Sequence, residues 1–461
     1  MRLLLVGLAV ALGWGLRGEI GGEQGALIPG TFLGLALAIV SGKRDWQKYA
    51  VVIGAGGALG MSMGGIQSYG ILIGYTKGID MLNVTYGYLM LAIVGGLWGA
   101  FASGIIGMVL SERHKSIWFW LLFIMLGYIG AELTYVLLIK VFGLLMTPPR
   151  VEYWAWVLGA VLVLFVVNFI QKEHKTCRLI LRGFLAGAVG FMFGQSLQVY
   201  GSFLGPRFDW WKVMEISFGF VMGIGIAYGV FREYPDDKPI MKVTPLLNLF
   251  AIFIVLAFVP LITLHNLLQR FEENGILIRG DTLWTDSYFQ ILLRGIVLSI
   301  IGIYAYWKWS QERDITADVH WHLCFLWIWS LWANGFITLI LMFIPKTNPT
   351  SAVIHGFFLI LMMLLSFWVI QRRFDTVSEC YVNKPAPRYR WVLLSLVSIP
   401  LLALFFAFTS IATHPGQMPE GLRKRFEWNQ STSTLPRLVE ERQHISLDLD
   451  TTRMPNSKVY R

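Results

Sequence analysis

Apolar runs recur from one end of the chain to the other, separated by short polar or glycine-rich links. Most are long enough to cross the roughly 30 Å hydrocarbon core of a bilayer as a helix. The pattern places spans at 3–17, 25–42, 49–70, 86–110, 117–146, 151–171, 179–200, 211–231, 245–268, 288–308, 322–345, 351–371 and 390–411, thirteen in all. A transmembrane β-barrel would instead show alternating segments of about ten residues. The expected fold class is an all-α polytopic membrane protein.

The first run, MRLLLVGLAVALGWGL, resembles a signal peptide, but no small-residue cleavage site follows it, and it reads as a retained first span. Basic residues concentrate in alternate links. Lys43, Arg44 and Lys48 follow the second span, and Arg113 and Lys115 the fourth. Lys172, Lys175, Arg178 and Arg182 follow the sixth, and Arg232, Lys238 and Lys242 the eighth. Arg372, Arg373, Lys384, Arg388 and Arg390 follow the twelfth. Excess Lys and Arg mark cytoplasmic loops. The expected placement is therefore multi-pass in the cell (inner) membrane, with the N-terminus cytoplasmic and the C-terminus extracytoplasmic.

Residues 117–146 are too long for a simple crossing, and splitting them would turn every later basic link outward. One long, tilted or kinked helix is the consistent reading. Trp118, Trp120, Trp154, Trp156, Trp210, Trp211, Trp307 and Trp309 sit near span ends, as an interfacial belt does.

Two stretches align with one insertion: GALGMSMGGIQSYGILIG at 57–74 and GAVGFMFGQSLQVYGSFLG at 187–205. Gln67, Tyr69 and Gly70 match Gln198, Tyr200 and Gly201, and TYGYLM at 85–90 matches SFGFVM at 217–222. The offset covers four spans, so both copies point the same way. Two parallel four-helix repeats, 1–115 and 116–242, are expected, then a five-helix bundle at 243–411 and a polar extracytoplasmic tail at 412–461. Parallel repeats are common in transporters. Glycines spaced at four, among them Gly56, Gly60 and Gly64, allow close packing of helix backbones. They also allow broken helices around a solute, tolerated in a membrane only where protein or a water-filled cavity surrounds them.

Composition narrows the chemistry. Only 14% of residues are charged, against about 25% in soluble domains. The net charge of +10 reads as orientation, not nucleic-acid binding. Cys177, Cys324 and Cys380 are isolated, and the spacing of Asp314, Asp318, His320 and His322 in DITADVHWH fits no strong zinc pattern, so no metal site is expected. No nucleotide-binding loop or hydrolase motif occurs in a useful context, and no cofactor is expected.

The unusual polar residues share the extracytoplasmic half. Arg17, Glu19 and Glu23 lie on the glycine-rich stretch GWGLRGEIGGEQGALIPG at 13–30. Gln67, Tyr69, Gln198, Tyr200 and Glu215 fall at similar depth, as do Arg294, His355 and His265. Glu132 and Asn334 are deeper, and Glu132 is a candidate for ion coupling or a salt bridge to Lys140 or Arg294. The glycine-rich stretch is either an exposed hairpin loop or a break dipping into the membrane, where free N–H groups and a helix start can meet an anion.

Two functions fit. One is a secondary transporter or carrier for a small polar or anionic solute, bound between the repeats and open outward. The other is a membrane transferase acting on a lipid-linked substrate at the outer leaflet. The second architecture resembles membrane glycosyltransferases that place a carboxylate in the first external loop, although here that loop spans only about eight residues. The partners expected are the bilayer and a small solute or lipid-linked substrate, with no nucleic acid.

Overall fold

The computed structural model describes residues 1–20, 24–113, 115–204, 208–235, 240–273, 280, 286–312, 396–416 and 421–426. Spans 322–345 and 351–371, with His355, Asn334, the DITADVHWH stretch and most of the tail, lie outside the described residues. Of the described residues, 82% are helical, and none forms a strand. Seven described helices are long and apolar enough to cross a membrane.

The helices are α1 (Arg2–Ile20), α2 (Leu27–Val40), α3 (Arg44–Lys48), α4 (Ala50–Gly65), α5 (Gly70–Tyr75), α6 (Met81–Leu110) and α7 (Ile117–Tyr135). They continue with α8 (Tyr153–Ile170), α9 (His174–Leu204), α10 (Trp210–Glu233), α11 (Pro245–Phe253), α12 (Val259–Glu273), α13 (Ser287–Glu312) and α14 (Ser398–Ala412). Helix α7 runs on through a π-helical turn at Val136–Val141 as one membrane-length helix of 25 residues. A second π-helical turn, Ile254–Phe258, joins α11 to α12.

Six helices close a circuit of neighbours in the order α1, α2, α4, α6, α9, α10 and back to α1. The α7–α8 hairpin packs outside it, chiefly through α8 on α6 and α9; α14 covers α6 and α9, and α11 covers α4. All of α2 is buried, although its 14 residues extend only about 21 Å. Such a short apolar helix is at home here because other helices surround it.

Glycine sets the spacing of the circuit. A Cβ at Gly187 of α9 would overlap the Gly95 carbonyl oxygen of α6, and one at Gly99 would overlap the Gly183 carbonyl oxygen. Gly30 and Gly57 hold α2 against α4 in the same reciprocal way. Lipid chains are as apolar as leucine, so membrane helices associate through close backbone packing, and glycine permits the closest approach.

The basic links after α2, α6, α8 and α10 converge at one end. The Lys43 ammonium donates to the Tyr234 carbonyl, and the Ile240 N–H donates to Asp45 Oδ2 at 3.1 Å. The Tyr234 hydroxyl donates to the Gly107 carbonyl at 3.1 Å. Arg178 and Arg182 both pair with Glu233, at 2.6 and 2.8 Å. At the opposite end of α1 and α10, a second polar cluster forms.

A buried arginine cluster as the candidate functional site

The sequence pattern sets Arg17 on the break between two spans, but α1 continues to Ile20, so Arg17 belongs to its last turns. Gly13 and Gly18, the glycines on either side, serve approach instead of turning. A Cβ at Gly18 would overlap the Glu215 carboxylate, and one at Gly13 would meet Pro29 Cα at 2.5 Å. The second half of the glycine-rich stretch begins α2, with Pro29 buried inside it.

The third span is broken. Helix α4 stops at Gly65, α5 starts at Gly70, and Tyr69 holds a non-helical backbone between them (φ −132°, ψ −12°). Two consecutive glycines, Gly64 and Gly65, end α4 and each lowers helix propensity by about 1 kcal/mol relative to alanine, although the pairs Gly56–Gly57 and Gly95–Gly96 sit inside unbroken helices, so the pair alone does not make the break. The aligned stretch 187–204 has no such pair and runs unbroken in α9.

The break lets Tyr69 reach Arg17, whose Nη1 donates to the Tyr69 hydroxyl at 2.5 Å. Glu215 of α10 stands 3.8 Å from the same Nη1. Lys212 lies 3.5 Å from the second Glu215 oxygen and donates to the Gly15 carbonyl at 2.8 Å. Trp211 Nε1 donates to Glu215 Oε1 at 3.1 Å. Arg17 is 12% exposed, and Lys212 and Glu215 are 2% each, so two cations and one carboxylate share a nearly dry site.

Aromatic rings enclose the guanidinium. Its carbon lies 5.4 Å from the Trp14 ring, 5.5 Å from Tyr69 and 6.0 Å from Trp98, within cation–π range. Phe191 of α9 and Phe218 of α10 stack behind, at 4.7 Å. Gly64 admits Trp98, because a Cβ there would overlap its indole. Around this box, Arg17 Nε, Trp14 Nε1 and Trp98 Nε1 are buried donors with no acceptor. The side-chain oxygens of Gln67, in the α4–α5 link, and of Gln195 and Gln198, on α9, are buried acceptors with no donor.

Of the residues singled out in the sequence, Arg17, Tyr69 and Glu215 meet here, and Gln67 stands two residues from Tyr69. Gln198 is buried on α9. Tyr200 leaves the cluster and bonds to Thr409 of α14. Glu19 lies in the last turn of α1, but its side chain, like Glu23, is outside the described residues. Glu132 accepts from Trp156 Nε1 of α8 at 3.1 Å, while Lys140 lies over the Tyr135 ring and Arg294 is exposed on α13. His265 bonds to the Tyr288 hydroxyl.

The sequence reading missed Trp14, Trp98, Lys212 and Gln195, and counted Trp211 only as belt. One signal was available: in WWKVME, Lys212 and Trp211 stand three and four residues before Glu215, on one helix face. Among the described residues, no group of three His, Cys, Asp or Glu side chains could hold a metal ion. No protein family, curated protein or solved structure matches the chain.

Proposed function

We propose that this protein is a membrane carrier for a small anionic solute, bound at the Arg17 cluster between α1, α4, α6, α9 and α10. The observation carrying this reading is the excess of buried donors. Arg17 Nε and the indole N–H groups of Trp14 and Trp98 lack acceptors. An unmade hydrogen bond at a buried group costs about 1–3 kcal/mol, so one unpaired donor on the guanidinium and two on neighbouring indoles favour an oxyanion.

The circuit of helices and the α4–α5 break support passage as well as binding. The break faces protein, where irregular backbone is tolerated in a membrane. In this reading the two aligned four-span units contribute one side of the site each. The Arg17 cluster opens away from the basic links, hence outward, with the N-terminus in the cytoplasm of a cell membrane.

The test is flux into sealed proteoliposomes, with a thermal-stability screen of small anions, sugars, amino acids and lipid-linked donors. A ligand at about a hundred times its dissociation constant adds roughly 2.7 kcal/mol to the native state, which is readily seen. Anion uptake and stabilisation, both lost in Arg17→Gln, are the expected results. Chemical modification of a lipid-linked donor without anion flux would overturn the carrier in favour of a transferase.

A further inference from the structure

We infer that the C-terminal segment at 421–426 is a latch: seated on α5 and the first turn of α6, it holds α5 in place and with it the grip of Tyr69 on Arg17, and its release frees α5. This goes beyond the carrier reading and is tested without a solute.

Hydrogen bonds to the segment's main chain make the seat. The Arg423 N–H donates to the carbonyl of Gly74, next to last in α5, at 3.1 Å. Asn83, in the first turn of α6 and 2% exposed, acts as a clamp. Its Oδ1 accepts from the Arg425 N–H at 2.5 Å and from the Phe426 N–H at 2.9 Å, and its Nδ2 donates to the Phe426 carbonyl at 3.0 Å. The Phe426 ring stands edge-on to Tyr86 at 5.3 Å, and Arg425 Nη2 donates to the Leu145 carbonyl at 3.3 Å. The segment thus ties α5, the start of α6 and the α7–α8 link together, at the end of α6 opposite the basic links.

Gly74 shows the closeness of the fit. A Cβ there would lie 2.8 Å from the Gly421 carbonyl oxygen, 2.9 Å from Arg423 Cγ and 3.1 Å from Arg423 Cβ, so its three nearest atoms all belong to the segment. Helix α5 is suited to control from that side. It has six residues, cut from α4 by the break and from α6 by the loop at 76–80. A helix so short is not stable alone, so its place is set by what packs on it. Its N-cap is Tyr69, whose hydroxyl accepts from Arg17. One end of α5 therefore bears on the buried arginine and the other on the segment, about 8 Å away. On the α9 side, Gln195 Nε2 donates to Thr76 Oγ1 at 2.8 Å. Gly70 is exposed, and a Cβ there would meet nothing within 4 Å, which leaves room for α5 to shift at the break. Local opening draws on elements tied by few contacts.

The experiment is hydrogen exchange on the full chain in nanodiscs, read by mass spectrometry over 66–75, with 95–108 of α6 as the reference. Gly74→Leu fills the space that the segment occupies, and leucine favours helix, so the substitution itself steadies α5. Asn83→Ala removes the clamp. Both should raise exchange at 66–75 about tenfold, the worth of a hydrogen bond or two, and leave the reference unchanged. The opposite change comes from Gly74→Cys with Arg423→Cys, in a chain whose three native cysteines are replaced. The two Cβ positions lie close to the roughly 3.8 Å separation of a disulfide. Oxidation should slow exchange at 66–75, and reduction should restore it. Should a loosened variant fail to fold, the cross-linked pair decides alone. Faster exchange confined to 76–83 and 421–426, with 66–75 unmoved, would overturn the latch and make the segment a passive cover. A cross-link without effect on 66–75 would overturn it too. Either result leaves the carrier standing, and a failure of anion flux leaves the latch standing.

Discussion

Arg17 and Tyr69 are joined by a 2.5 Å hydrogen bond across 52 positions of sequence, and the bond exists because the third span breaks between Gly65 and Gly70. Tyr69→Phe tests what the hydroxyl contributes. The ring would keep its neighbours Trp98, Phe191 and Trp211. Hydrogen bonds to charged groups contribute about 1.5–3 kcal/mol, and a loss in that range should appear as a lower melting temperature in detergent. Anion affinity should fall as well, because the guanidinium loses its orientation. An unchanged melting temperature would mean that the rings and Glu215 hold Arg17 unaided.

The glycine contacts predict a graded series. Gly187→Ala drives a methyl into the Gly95 carbonyl oxygen, which belongs to backbone and cannot swing away. Overpacking of this kind costs about 1–3 kcal/mol or more. Gly127→Ala, on α7, meets nothing within 4 Å and should be neutral or raise stability by up to about 1 kcal/mol through helix propensity. Melting temperatures of the two variants, measured side by side, check the order. Equal losses would show that glycine is needed for something other than approach.

How much of this was written in the sequence differs by feature. The all-helical, multi-pass character was legible, because apolar length is a direct consequence of bilayer thickness. Charge alternation favours one helix over the 117–146 run, and α7 with its π-helical turn is one helix, though it ends at Val141, five residues short of that bound. The site was half legible. Arg17, Tyr69 and Glu215 stood out as polar residues at one depth. Trp14 and Trp98 did not, since an uncharged ring inside an apolar span leaves no mark in the pattern of polar residues. Tyr200 was assigned by analogy with Tyr69. The third span breaks after Gly65 where the aligned stretch does not, and in unbroken α9 Tyr200 turns to Thr409.

Glu233 holds two arginines, Arg178 and Arg182, at 2.6 and 2.8 Å and is 1% exposed. Glu233→Gln keeps the shape and removes the counter-charge. Leaving buried charge uncompensated costs about 3–5 kcal/mol, so this variant should be among the least stable of single substitutions at that end. The loss should persist at high salt, because buried pairs are weakly screened. A thermal melt at low and high ionic strength measures both; a loss abolished by salt would mean that the pair is solvated.

Orientation is open to a direct test. Lys48 is exposed at the basic end, and Cys177 is buried. Lys48→Cys, in a chain with its three native cysteines replaced, should resist an impermeant maleimide in intact cells and react after permeabilisation. Reaction in intact cells would turn the molecule over and put the Arg17 cluster on the cytoplasmic side.

Lys115, in the link between α6 and α7, supplies a pH dependence. Burial holds its ammonium down to about 8, with Arg113 acting in the same sense and Glu173 opposing. Its Nζ donates to the Met108 carbonyl at 3.0 Å, which anchors the amine at the end of α6. The unfolded chain keeps Lys115 protonated up to its ordinary value of about 10.4, while the folded chain releases the proton near 8. Between those values the unfolded state binds more protons, so stability rises with pH. The rise from this one group is at most about 3 kcal/mol. Thermal melts from pH 7 to 10.5 should therefore show an increasing component that Lys115→Met removes. The same slope in that variant would assign the dependence to other groups.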